Sequence, residues 1–299
     1  MEKTKQIVRR IGRLPGVLAL FAATALLLPS ATSLGMESPL GGPIGLVAAA
    51  EDLQLPESLS EGGTLSQHPD RIMVPEEIQA PRPARPAAET PMVEDAYFET
   101  VAFLGDSRTD GFRLYSGLRN GTYFVATGAT VESVFSKAVE TAAGEMPLLD
   151  FMAQAEQKPE RIYVMLGVNE LGWADIENYR NYYGQLVDRL RADHPGAEVI
   201  LQSLPPVSRK QEELKTYVNN ARIQRYNEIV REVAGAKNCP YVDVAAAVTD
   251  EEGFLPANWT YDGVHLNDLG CRIWLDYLRT HAINYDGPFA ADAPAETVE

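Results

Sequence analysis

The chain has 299 residues, 45% of them hydrophobic, and carries a formal net charge of −16. That length allows one large domain or two small ones. The acidic balance argues against nucleic acid as a partner and against docking on anionic lipid, because both are polyanions.

The N-terminus reads as a targeting segment. Lys3, Lys5, Arg9, Arg10 and Arg13 form a basic patch, residues 14–28 are apolar and uncharged, and Leu28-Pro29-Ser30 closes the run. A basic stretch followed by a short apolar one has the form of a secretory signal. The apolar part falls short of the roughly 20 residues of a spanning helix. Residues 1–35 are therefore expected to export the chain, either as a cleaved signal peptide or as a retained N-terminal membrane anchor. Ala48-Ala49-Ala50 offers a second small-x-small cleavage site. The expected location is secreted or extracytoplasmic, with membrane contact through this segment only.

Residues 36–95 follow as a tether rich in Pro, Ala and Glu; seven of the 20 prolines fall within 51–95. Such a stretch buries too little apolar surface to offset its ordering entropy, so it is expected to be disordered and semi-extended. Residues 286–299 form an acidic tail of the same character.

Residues 96–285 are patterned throughout. Short apolar runs at 100–104, 123–126, 161–166, 198–202 and 241–244 predict strands. Val131, Val134, Phe135, Ala138, Val139 and Ala142 repeat at helical spacing and predict a helix. So do Ile176, Tyr179, Tyr183, Leu186 and Leu190, ending before Pro195-Gly196. Ile223, Tyr226, Val230 and Val233 mark another helix, and Leu269, Ile273, Trp274 and Tyr277 the last. Extended and helical periods alternate, which implies an α/β fold: a five-stranded parallel sheet with helices on both faces. The strands are continuously apolar, as befits strands buried on both sides. Cys239 and Cys271 are the only cysteines; they either pair or stay as buried thiols, and no Cys/His cluster has the spacing of a zinc site.

Four short blocks carry chemistry. Phe103-Leu104-Gly105-Asp106-Ser107 ends a strand on a serine in a tight turn. Gly128 and Gly167-Val168-Asn169-Glu170 each follow a later strand, and Asp262-Gly263-Val264-His265 precedes the last helix. In open parallel sheets ligands bind at the carboxyl ends of the strands, so Ser107, Gly128 and Asn169 should emerge on one edge. A serine hydroxyl needs a base to take its proton during attack. His265 is the candidate base, and Asp262, three residues back, can accept from its ring and fix its tautomer. The N–H groups of Ser107 and Gly128 and the amide of Asn169 would supply oxyanion donors. Taken singly, each residue also has a plainer role: Asp106 or Ser107 as a helix cap, Gly128 as a turn residue, Asn169 as a cap.

Together the blocks resemble those of the SGNH/GDSL hydrolase family over about residues 98–283. The resemblance implies a flavodoxin-like three-layer α/β/α sandwich and an esterase, lipase or carbohydrate deacetylase activity. It implies Ser107 as nucleophile, Asp262 and His265 as its relay, and Gly128 and Asn169 as oxyanion donors, with no metal or organic cofactor. The chain departs from the family pattern at Arg108, where Leu is usual, and at Glu170, where Asp is usual. Arg108 either offers a positive charge near the entrance or pairs with Asp110 or Glu170. Trp173, Trp259 and Tyr261 either stack on a sugar ring or pack their loops.

The absence of a long apolar lid argues against a true lipase. The substrate expected is a small ester or an acylated polysaccharide, with short acyl groups such as O-acetyl on a cell-wall or other polymer. Two alternatives stand beside hydrolysis: an acyltransferase passing the same acyl-Ser107 to a sugar hydroxyl, and a non-catalytic wall- or carbohydrate-binding module.

Overall fold

The computed structural model describes residues 82–142 and 144–284. The described residues lie in one contact unit, Ile72–Glu299. The targeting segment, tether residues 36–81 and the acidic tail are outside the described residues.

In chain order the elements are β1 (Val101–Gly105), α1 (Ser107–Tyr115), β2 (Thr122–Val125), β3 (Ala138–Thr141), β4 (Gly144–Pro147), α2 (Leu148–Ala153) and β5 (Arg161–Met165). Then come α3 (Ile176–Asp193), β6 (Glu198–Gln202), α4 (Arg209–Glu213), α5 (Asn220–Lys237), β7 (Tyr241–Val242), α6 (Val244–Ala247) and α7 (Asp268–Thr280). The main sheet has five strands in the order β2-β1-β5-β6-β7, and every pairing in it is parallel. The direction of strand progression reverses once, after β2. Right-handed crossovers then put α1 on the face opposite α3 and α5. The contacts agree: α1 packs with α7, and α3 with α5. The result is the expected α/β/α sandwich.

Side chains alternate across a strand, and register turns that alternation into a row. Tyr123, Phe103 and Tyr163 are register partners on adjacent strands. The Phe103 ring stacks on Tyr123 at 4.9 Å and on Tyr163 at 5.7 Å, and meets Phe112 of α1 at 5.3 Å. Phe112 in turn meets Trp274 of α7 at 4.5 Å. Burial of each such ring contributes about 1.5–3 kcal/mol, so this aromatic layer fixes α1, and with it the residue at its start. Helix α3 buries Tyr179, Tyr183, Leu186 and Leu190, and α5 buries Ile223, Tyr226, Val230 and Val233.

Two expectations need correction. The helix expected over 131–142 is absent. Ser133–Phe135 is a single 3-10 turn, and β3 and β4 pair antiparallel, Val139 opposite Met146 and Ala138 opposite Pro147. Val131 and Val134 are fully buried, so they satisfy the apolar spacing from within a loop. Beyond them exposure alternates along β3 as a strand requires.

The domain also begins before residue 96. Residues 84–93 run along its edge as a strap. The Ala84 N–H donates to the Arg231 carbonyl, Pro86 bridges Tyr241 in parallel, and the Val93 N–H donates to the Arg279 carbonyl. Proline is tolerated there because it sits at the sheet edge, and Val93 is buried. Cys239 and Cys271 are free and buried, in separate apolar clusters. Among the described residues no helix is long and apolar enough to cross a membrane.

Candidate active site

Strand β1 ends on Gly105. A Cβ there would lie 2.0 Å from Thr109 Oγ1 and 2.7 Å from the Met165 carbonyl, so only glycine lets α1 start so close to β5. Asp106 caps α1, its Oδ1 accepting from the Arg108 N–H at 2.8 Å. Ser107 is the first helical residue, where the helix dipole favours developing negative charge. A second tight turn follows β5: Gly167 has φ +144°, and a Cβ would meet Tyr179 Oη at 2.6 Å. This turn aims the 3-10 segment Val168–Glu170 back toward the end of β1.

The loop before α7 closes on itself. Thr260 bridges Leu266, Thr260 Oγ1 donates to the His265 carbonyl, and the Gly263 N–H donates to Thr260 Oγ1. Within that loop Asp262 Oδ1 accepts the N–H groups of Val264 and His265 at 2.9 and 2.8 Å, while its Oδ2 faces His265 Nδ1 at 2.7 Å. On the far side of the ring, His265 Nε2 lies 2.9 Å from Ser107 Oγ. Residues 158 apart in sequence therefore meet in one hydrogen-bonded line. Partial burial pushes the Asp262 carboxyl upward, but the bonds from the His265 ring and from two backbone N–H groups outweigh it. They hold the carboxyl well below the usual carboxylate range.

The Asn169 amide reaches the same edge. Its Nδ2 donates to the Ala129 carbonyl at 2.8 Å and, more weakly, to Asp106 Oδ2 at 3.3 Å. Gly128 is exposed on the loop after β2, with φ +70°. Asp106 is thus more than a cap, because it also holds the side chain of Asn169. Burial raises its carboxyl to about 6, against the pull of the Arg108 N–H and charge and of His265.

Glu170 is fully buried, and its Oε1 accepts the Val131 N–H at 2.7 Å. Burial raises its carboxyl to about 8, with Asp106 pushing the same way against the Val131 bond. The folded protein therefore keeps a proton on Glu170 that the unfolded chain releases near 4.5. Stability falls as pH climbs through that window, by roughly 3–5 kcal/mol in all. Glu170→Gln is expected to flatten this fall: urea unfolding at pH 6 and pH 9 should differ much less in the variant than in the wild type. Equal slopes in the two proteins would show that Glu170 is already ionised at pH 6.

Other expected contacts stand elsewhere. Arg108 is not at the entrance and pairs with neither Asp110 nor Glu170. It is 2% exposed, its Nη1 donates to the Pro205 carbonyl at 2.8 Å, and Asp110 pairs with Arg113 instead. From the first turn of α1 the long side chain reaches inward to the segment after β6. Trp259 packs on the small cluster of Val248, Leu255, Leu266 and Cys271. Trp173 is half-buried and edge-on to Tyr182 at 6.4 Å, in the wall of a cleft that also holds Glu132, Asp175 and Asn178. Tyr261 is exposed, its ring 5.4 Å from that of Tyr115. Among the described residues no group of three His, Cys, Asp or Glu side chains gathers as a metal site would require.

The sequence offered Asp106 only as a possible cap and Glu170 only as a possible partner of Arg108. The missed signal was proximity in space: both carboxyls follow strand ends that pair side by side in the sheet.

A family model described as GDSL-like lipase/acylhydrolase matches residues 103–273. Among solved structures, one described as a candidate platelet activating factor from Streptococcus pneumonia is 23% identical, with a TM-score of 0.51, covering 60% of this chain and 81% of its own. A GDSL-like lipase from Bacteroides thetaiotaomicron is 20% identical, with a TM-score of 0.44, covering 60% and 84%. An acetyl xylan esterase is 19% identical, with a TM-score of 0.45, covering 61% and 99%. No curated protein matches the chain.

Proposed function

Because the chain belongs to the GDSL-like lipase/acylhydrolase family, we propose that it is an exported serine esterase that cleaves short acyl esters through an acyl-Ser107 intermediate. The observation that carries this reading is the line from Ser107 Oγ through the His265 ring to Asp262, at 2.9 and 2.7 Å. His265 Nε2 takes the hydroxyl proton as Oγ bonds to the ester carbonyl carbon, and Asp262 stabilises the imidazolium that forms. The carbonyl oxygen becomes an oxyanion, for which we assign as donors the Ser107 and Gly128 N–H groups and the Asn169 amide, once that amide turns from its weaker bond to Asp106. The intermediate collapses as the ester C–O bond breaks. The proton on Nε2 passes to the leaving alcohol, and water then repeats the sequence to release the acid.

The acyl group we propose is small, O-acetyl on a carbohydrate or cell-wall polymer. Support comes from the export signal, the Pro-rich tether and the want of any long apolar segment in residues 96–285 to shelter a fatty chain. The test is a series of p-nitrophenyl esters from acetate to palmitate, with mass spectrometry after a fluorophosphonate probe. A short-chain preference and phosphonylation of the Ser107 peptide are expected; labelling elsewhere, or none, would overturn the assignment.

Asn169→Ala should lower kcat on the acetate about 10²–10³-fold, the usual cost of one oxyanion donor, with KM within about threefold. A rise in KM alone would make Asn169 a ground-state contact.

A further inference from the structure

Arg108 stands next to the nucleophile in sequence, and the mechanism above leaves it without a role. Its surroundings give it one. The side chain leaves the first turn of α1, immediately after Ser107, and is 2% exposed. Nη1 donates to the Pro205 carbonyl, while the buried Nε and Nη2 make no hydrogen bond. The carboxylates of Asp106 and Asp262 both act on it through their charge.

The segment reached by Arg108, residues 204–208, is buried throughout and firmly held. Asn227 Oδ1 accepts the Leu204 N–H, and Asn220 Oδ1 the Val207 N–H. Both asparagines stand on α5. The far end of the segment holds the loop of the candidate base: the Ser208 N–H donates to the Gly263 carbonyl at 2.8 Å. A continuous path therefore runs from the nucleophile turn, through the guanidinium and the 204–208 segment, to the loop bearing Asp262 and His265.

We propose that Arg108 is a positioning residue, which sets the distance between Ser107 and His265 by tying the start of α1 to the segment that carries the base loop. The inference rests on the esterase reading of this site. A neutral side chain would fill the same space but would lose both the bond to Pro205 and the attraction of the two carboxylates. The serine and the imidazole would then be held only by their own hydrogen bond and by the packing of their separate elements.

The test compares wild type, Arg108→Met and Arg108→Lys by steady-state hydrolysis of p-nitrophenyl acetate and by the rate of fluorophosphonate labelling. Urea unfolding is run alongside. Misplacement of reacting groups by about 1 Å costs on the order of 10²-fold. R108M is accordingly expected to fold cooperatively, lose about 10–100-fold in kcat with KM within about threefold, and label slower by a similar factor. R108K keeps the charge and a donor for the Pro205 carbonyl, so its kcat should return to within about fivefold of wild type. A folded R108M with wild-type kcat and labelling rate overturns the proposal. So does a folded R108K as impaired as R108M. If R108M fails to unfold cooperatively, R108K decides alone, and a folded R108K more than about tenfold slower than wild type overturns it. A wild type that neither hydrolyses the ester nor labels at Ser107 defeats the esterase reading itself, and this proposal with it.

Discussion

Replacing Ser107 by Ala is expected to lower kcat on p-nitrophenyl acetate by about 10⁴–10⁶-fold, while binding of the ester changes little. The substitution removes a single oxygen at the first position of α1. It leaves the Asp106 cap, the Gly105 contact with Thr109 and the aromatic layer under Phe112 in place. Melting behaviour should therefore hold within a few degrees, and loss of turnover cannot be put down to loss of the fold. What remains is an oxyanion site with no nucleophile, together with an imidazole that now faces a methyl group instead of a hydroxyl 2.9 Å away. Such sites retain weak catalysis over water, so the residual rate should exceed the uncatalysed one and should not respond to fluorophosphonate. Equal rates in the two proteins would remove Ser107 from the chemistry, whatever its distance from His265.

The parts of this arrangement that show in the sequence are those set by local pattern. Runs such as Ile162-Tyr163-Val164-Met165-Leu166 are apolar on both faces because the strand is covered on both faces, and that pattern needs no tertiary knowledge to read. Once the strands are placed, Ser107 and Asn169 must emerge together, since each follows a carboxyl end of neighbouring parallel strands. The misses share a different cause. Val131 and Val134 are buried by a loop, and that burial mimics a helical stripe. Pro86 looks like linker until a free sheet edge is available beside Tyr241. Arg108, Asp106 and Glu170 look like surface charge until the layers close over them. Burial of a charge is a property of the whole fold, and no spacing rule encodes it.

Asp262→Asn is expected to cost about 10⁴-fold in kcat with little change in stability, because the geometry dictates how the new amide must sit. Asp262 Oδ1 accepts two backbone N–H groups, from Val264 and His265, and those donors still need an acceptor in the variant. The asparagine carbonyl has to take that place, which turns its NH₂ group toward His265 Nδ1. Facing a donor, Nδ1 must become an acceptor, and the ring proton moves to Nε2. That nitrogen then points a hydrogen at Ser107 Oγ and can no longer receive one. The variant keeps every heavy atom in position yet holds the imidazole in the wrong tautomer and withdraws the charge that stabilises the imidazolium. Asp262→Ala should behave differently: the two backbone N–H groups lose their partner, so the loop loosens and thermal stability drops alongside turnover. The bonds from His265 and the two backbone N–H groups hold the Asp262 carboxyl well below the usual carboxylate range, so it carries its charge throughout pH 6–9. A folded Asp262→Asn protein retaining more than about a tenth of wild-type kcat would mean that His265 finds its orientation without Asp262, and that the relay ends at the imidazole.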